Sequence, residues 1–292
     1  MRAGGALRVG YRGNGGQHES FLVHSRFRYL KWAFGLGVAA LVLYVFDKPY
    51  GSRYGGTWAG YILGTISAAL IVWLLAFGYR KRSYVRTAGR LAERLSAHVY
   101  LGLALLLVAT LHTGFNFGWN VHTLAYVLMC LVIVSGVFGV FCYLRYPRQM
   151  TANRAGMTTQ QMLGTIATLD AQLRAAAMPL DEKTAMVIER AVEVNEFGRS
   201  VWQQLTRRYP DCTTAAALLH LASISTEIEQ QVEEAWARVR VLLEEKAALL
   251  ARVRRDIAYK TMIDIWLYLH VPMSFMLLAA VIAHIVAIFF LW

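Results

Sequence analysis

His98 and His112 stand in "SAHVYLGLALLLVATLHTGF", residues 96–115, a stretch with no Asp, Glu, Lys or Arg. "YLHVPMSFMLLAAVIAHIVA", residues 268–287, repeats the arrangement with His270 and His284. The histidines of each pair are fourteen residues apart. In an α-helix that step rises about 21 Å and turns about 1400°, roughly 40° short of four full turns. Each pair therefore falls on one helix face at two depths. An ionisable residue inside an apolar span is costly and by default points to function. Imidazole is above all a metal and haem ligand, through whichever ring nitrogen carries a lone pair.

The elements that would carry these histidines are membrane spans. The chain has 292 residues, 57% of them apolar, with mean hydropathy +0.40. A bilayer-spanning helix needs about 20 mostly apolar residues. Five segments qualify, at 32–46, 58–79, 97–118, 122–144 and 263–291. The first is short and has room to begin earlier, near Phe27. It follows a long polar tail with no small-residue cleavage site after it, so it reads as a retained helix and not as a signal peptide.

The net charge of +12 is unevenly placed. The tail 1–31 holds six Lys or Arg against Glu19, and the loop 80–97 holds six against Glu93. The 47–57 connection has only Lys48 and Arg53 against Asp47, and 119–121 has no charge. The positive-inside rule puts the tail, the 80–97 loop and residues 145–262 in the cytoplasm and the C-terminus outside. A bacterial inner membrane fits this pattern. The basic excess lies beside helix ends and not on a separate module, which argues against nucleic acid binding. Cys130, Cys142 and Cys212 are scattered, with no CxxCH for covalent haem and no CxxC for zinc or iron–sulfur ligation.

With this topology the third and fifth spans run parallel. His98 and His270 fall near the cytoplasmic ends, and His112 and His284 lie about 21 Å further out. Facing helices would present two His–His pairs at two depths, as two six-coordinate haems require. The expected pairs are His98 with His270 and His112 with His284. "HVYLGLALLLVATLH" and "HVPMSFMLLAAVIAH" resemble the histidine pattern of the di-haem transmembrane cytochromes b. That pattern belongs to the haem-binding core of the bc-type cytochrome b and to the ferric reductase/NADPH oxidase membrane domain. The resemblance covers the membrane core only. It implies two b haems on paired histidines, but no flavin or nicotinamide domain follows the last span and no quinol-site motif is present. The activity of either family does not carry over.

Several residues support the pattern less directly. Gly64 and Gly78 on the second span are also fourteen residues apart, and glycine leaves room for a haem edge between helices. Gly102, Gly114, Gly136 and Gly139 are weaker versions of the same signal. Arg80, Lys81, Arg82, Arg94, Lys48 and Arg53 could pair with propionates, though most read as topology signals. His122 opens the fourth span beside Asn120; it could hydrogen-bond the outer haem or serve as a proton group, but reads more simply as an interfacial histidine. His18, His24 and His220 read as surface or packing residues. Pro272 is expected to kink the last helix. Trp58, Trp119 and Trp292 read as interfacial anchors. "GYRGNGG" in the tail has no strand before it, so a flexible tail is expected and not a dinucleotide loop.

Between the fourth and fifth spans lies a polar insert, 147–262, that reads as helical throughout. "TTQQMLGTIATLDAQLRAAAM" forms one amphipathic stretch. "PLDEKTAMVIERAVEVNEFGRSVWQQLTRRYP" reads as a second helix, acidic at its start and basic at its end. From Leu221 to Val253 apolar residues recur at spacings of three, four or seven. No proline interrupts Thr213–Val271, so this stripe can run into the last span as one helix. The insert is expected to be a helical bundle, a docking platform for a partner, or both.

The expected fold is an all-α, five-span bundle carrying two b haems, with a helical insert. The expected function is electron transfer across the membrane within a hetero-oligomeric complex. Electrons would come from quinol, from a cytoplasmic flavoprotein or Fe–S protein, or inward from a periplasmic donor. A c-type cytochrome is the natural acceptor at the outer face. The alternative is a haem-free scaffold or signalling protein, in which the histidines pack or sense pH.

Overall fold

The computed structural model describes residues 24–49, 55–80, 88–193, 197, 200–224 and 232–290, without the side chains of 24–25, 77–80 and 88–91. The glycine-rich tail, His18, Arg53, Lys81, Arg82 and Trp292 lie outside them, as do the side chains of His24 and Arg80 and the surroundings of Gly78. Every regular element among the described residues is an α-helix. They are α1 (His24–Phe46), α2 (Trp58–Arg80), α3 (Ala88–Thr113), α4 (Val121–Arg154), α5 (Thr159–Ala177), α6 (Glu182–Glu193), α7 (Val201–Thr206), α8 (Thr213–Ile224) and α9 (Glu233–Phe290). Five of these, α1, α2, α3, α4 and α9, are long and apolar enough to cross a membrane.

The chain divides into two compact units. One comprises the residues up to Val134 together with those from Pro272 onward, and the other is Ser135–Val271. In the first unit, α1 and α2 both pack on α3. Ala40 of α1, Leu63 of α2 and Val108 and Leu111 of α3 form one buried cluster. Ile71 of α2, Leu105 and Ala109 of α3, Met129 of α4 and Leu277 of α9 form another. The outward faces stay apolar, as at Phe34, Val38, Leu41 and Val45 of α1 and Val72 of α2. Such faces suit lipid contact.

Two boundaries differ from expectation. α3 begins at Ala88, well inside the loop expected over 80–97, because "AGRLAERLSA" is rich in strong helix formers. Within it Glu93 accepts a hydrogen bond from Tyr29 Oη of α1 at 2.8 Å. α3 ends at Thr113 and not at 118. Gly114 (φ 56°) and Phe115 (φ 60°) turn left-handed, and the Gly114 N–H bonds the Leu111 carbonyl at 3.2 Å. This is a glycine helix stop.

The second unit has its own core. Met162, Ile166, Leu169, Leu173 and Ala177 form one stripe of α5. They pack with Ile188 and Ala191 of α6, Ala217 and Leu221 of α8, and Val239, Leu243, Leu250 and Val253 of α9. Thr158 caps α5 in a reciprocal box with Gln161. The helix expected over 179–210 is two helices. α6 starts at Glu182, where Asp181 accepts the Thr184 N–H at 3.1 Å. Ser200 then opens α7 with a second capping box, on Gln203. From Glu233 onward α9 is continuous through Pro272 to Phe290. α4 likewise runs past the expected end of the fourth span, through Pro147 to Arg154. There Asn153 Nδ2 donates to the Arg252 carbonyl and to Asp256 Oδ1, each at 2.8 Å.

Candidate functional site: histidines of the long apolar helices

α2 positions the first ligand candidate. Thr57 caps that helix, its Oγ1 accepting the Gly60 N–H at 3.1 Å. The Gly60 carbonyl in turn meets His112 Nδ1 at 2.7 Å. A carbonyl only accepts, so His112 carries its proton on Nδ1 and a lone pair on Nε2. That is the tautomer of an Nε2 metal ligand with an oriented ring. Gly64, one turn on, is where the ring rests: a Cβ there would stand 2.7 Å from His112 Cε1 and 2.9 Å from Nδ1. Gly55 is close as well, 3.2 Å from the same carbon. The room that Gly64 leaves is thus taken by the imidazole itself.

The same unit brings His112 and His284 together. Their ring centroids are 6.1 Å apart at an interplanar angle of 79°. His122 joins them. It is a hydrogen-bond partner of His284, Nδ1 to Nδ1, with ring centroids 4.4 Å apart and planes perpendicular. It is a member of the cluster and not only an interfacial residue. About one to two helical turns along from these histidines, the same helices pack through Leu105, Ala109, Met129, Leu277 and Val281. Thr110 Oγ1 and Tyr126 Oη share a hydrogen bond of 2.9 Å between α3 and α4.

His270 lies in the second unit, whereas His98 belongs to the first, on α3. The Ser135 hydroxyl meets His270 Nδ1 at 2.6 Å. One turn before His270, the Trp266 indole N–H donates to the Ser135 carbonyl at 2.7 Å. Two glycines of α4 admit these rings. A Cβ on Gly136 would touch His270 Cε1 at 3.5 Å, and one on Gly139 would collide with Trp266 Cζ2 at 2.1 Å. His220 packs inside its unit, within 3.2 Å of Thr184 Oγ1.

The donor set can be tested against haem. Among the described residues no group of three or more His, Cys, Asp or Glu could hold a metal ion. A haem would ask the protein for two imidazole donors, and His112 and His284, close together in one unit, would be the residues to supply them. His112 would offer Nε2, the nitrogen left with a lone pair by its bond to Gly60.

Sequence reasoning missed the Gly60 carbonyl, Ser135 and Trp266, and took His122 for an interfacial residue. One signal was available: Ser135, Gly136 and Gly139 form a small-residue stripe on the fourth span, the kind of face on which a neighbouring helix packs closely. No protein-family model, curated protein or solved structure matches this chain.

Proposed function

We propose that the protein is a b-type di-haem cytochrome that carries electrons one at a time across a membrane. The observation that carries this reading is the facing pair His112 and His284, with ring centroids 6.1 Å apart. Both lie on apolar helices whose histidines repeat at one fourteen-residue step. His112 and His284 are the ligands of one haem. The same spacing assigns His98 and His270 to the other.

Haem, when bound, supplies reversible one-electron chemistry. The chain's own residues hold, orient and bury it. The Gly60 carbonyl fixes the tautomer and ring plane of His112, and the Ser135 hydroxyl orients the ring of His270. The apolar cluster of Leu105, Met129 and Leu277 packs the same helices beside the site. Imidazole at both axial positions favours electron transfer over oxygen activation. Gly64 acts through His112 by giving its ring a place to lie.

Electron flow requires a donor and an acceptor. Quinol, a cytoplasmic flavoprotein or an Fe–S protein suits the donor, and a c-type cytochrome suits the acceptor. The helical unit is the candidate platform for a redox partner. The N-terminus and the insert are assigned to the cytoplasm of a bacterial inner-membrane protein on the distribution of Lys and Arg.

The test is a dithionite-reduced minus oxidised spectrum of the purified full chain, with haem counted as pyridine haemochrome. Two b haems per chain are expected. His284→Ala and His112→Ala should each remove the same one and leave the other. Folded but colourless protein would overturn this reading and favour a haem-free scaffold.

A further inference from the structure

We infer that His122 is a positioning residue for His284, and that α4, through His122 and Ser135, orients both histidines of α9. The inference rests on the di-haem reading and extends it to residues that do not touch the iron.

Within the first unit, His122 and His284 are hydrogen-bonded Nδ1 to Nδ1. A bond between two ring nitrogens needs one donor and one acceptor. If His284 binds iron through Nε2, its proton stays on Nδ1 and it is the donor. His122 then accepts on Nδ1 and carries its own proton on Nε2. The two rings stand perpendicular with centroids 4.4 Å apart. His122 thus does for His284 what the Gly60 carbonyl does for His112. Within the second unit, the Ser135 hydroxyl meets His270 Nδ1 at 2.6 Å, and on the same reading of His270 as an Nε2 ligand it is the acceptor.

The two contacts share a register. His122 and Ser135 are thirteen residues apart on α4, and their partners are fourteen apart on α9. The acceptors differ in strength. Imidazole is a better base than a hydroxyl or an amide carbonyl, so it draws the Nδ1 proton more strongly and makes His284 the more electron-donating ligand. A more basic ligand favours the oxidised iron. Loss of His122 should therefore raise the potential of the haem held by His284, and loss of Ser135 should raise that of the other haem by less.

The experiment uses the full-length protein as purified with its haem. His122→Ala, His122→Asn and Ser135→Ala are compared with the parent by haem content, low-temperature EPR and redox titration of each haem. His122→Ala should keep two haems per chain and move the EPR signal of one only. The reduced-to-oxidised ratio of that haem at fixed ambient potential should rise about tenfold, which is about 59 mV for a one-electron couple. His122→Asn keeps an acceptor oxygen near the place of Nδ1 and should return the signal towards the parent. Ser135→Ala should move the other haem. Two haems with unmoved signals in His122→Ala would overturn the inference. So would loss of one haem in His122→Ala that His122→Asn does not restore, because His122 would then be a ligand. A parent protein without haem would overturn the di-haem reading itself, and the inference with it.

Discussion

His112 Nδ1 lies 2.7 Å from the carbonyl oxygen of Gly60, one helical turn from Gly64, the residue on which its ring rests. The ring is held from two sides, by a hydrogen bond and by a backbone with no side chain. The first fixes which nitrogen has the lone pair. The second fixes where that lone pair can point. A histidine on an apolar helix free of such contacts would sample several rotamers, and few of them would suit an axial ligand.

Gly64→Ala should therefore disturb one haem alone. The added Cβ would stand 2.7 Å from His112 Cε1, so the ring has to move and gives up its bond to Gly60. Haem content is expected to fall from two towards one per chain, read as pyridine haemochrome. Gly35→Ala on α1 is the control, since nothing lies within 4 Å of a Cβ there, and it should retain both haems. Equal spectra for the two variants would remove Gly64 from the site.

The histidines and the apolar helices were legible because both signals are local. Hydropathy over about twenty residues announces a span, and a fourteen-residue step places two side chains on one helix face. What surrounds the histidines was not legible in this way. Ser135 meets His270 from a residue 135 positions earlier in the chain, and His122 meets His284 across 162 positions. Such pairings depend on how two helices are rotated against each other, and the period of a uniformly apolar helix does not record rotation. The same limit hid the role of Gly64, which is to accommodate an imidazole. The break between α6 and α7 was missed for a different reason. Charge at the two ends suggested one dipole-matched helix, whereas the Ser200 capping box starts a new one.

Gly139→Ala tests the packing of α4 against α9 within the second unit. The Cβ would overlap Trp266 at 2.1 Å, and the indole cannot withdraw without losing its bond to the Ser135 carbonyl. Overpacking of this kind costs about 1–3 kcal/mol. A lowered thermal midpoint of the full chain in detergent is expected, and Trp266→Phe in the same background should recover part of it. An unchanged midpoint would mean that the two helices separate at no cost.

Lys246 is a buried charge in the core of the helical unit. Its side chain is 3% exposed, and its ammonium lies 2.6 Å from Asp170 Oδ1 and 2.6 Å from the Ala191 carbonyl. Removing one member of a buried pair strands the other, at about 3–5 kcal/mol. Asp170→Leu should approach that cost, because it leaves Lys246 among Leu243, Leu250 and their neighbours. The double change Asp170→Leu with Lys246→Leu should lose much less, since well-packed apolar pairs often replace buried ion pairs without penalty. Thermal unfolding of the two variants and the parent gives the comparison. A double variant less stable than Asp170→Leu would mean that the pair is worth more than its desolvation.

Asp181 makes the start of α6 sensitive to acid. Hydrogen bonds from Thr184 hold its carboxyl below the ordinary value of 3.8. A carboxylate whose folded value is depressed stabilises the fold above its unfolded value, and that stability is lost as pH falls through the folded one. The contribution is therefore complete above about pH 5 and is lost as pH falls below 3.8 through the depressed folded value. Because Asp181 is exposed, solvent screens the interaction, and about 0.5–1 kcal/mol is expected. Asp181→Asn keeps a capping oxygen but cannot ionise. In hydrogen exchange, the amides of α6 in the parent should lose protection over that window, while those of Asp181→Asn should not follow pH there. Parallel loss in both proteins would assign the acid sensitivity to another group.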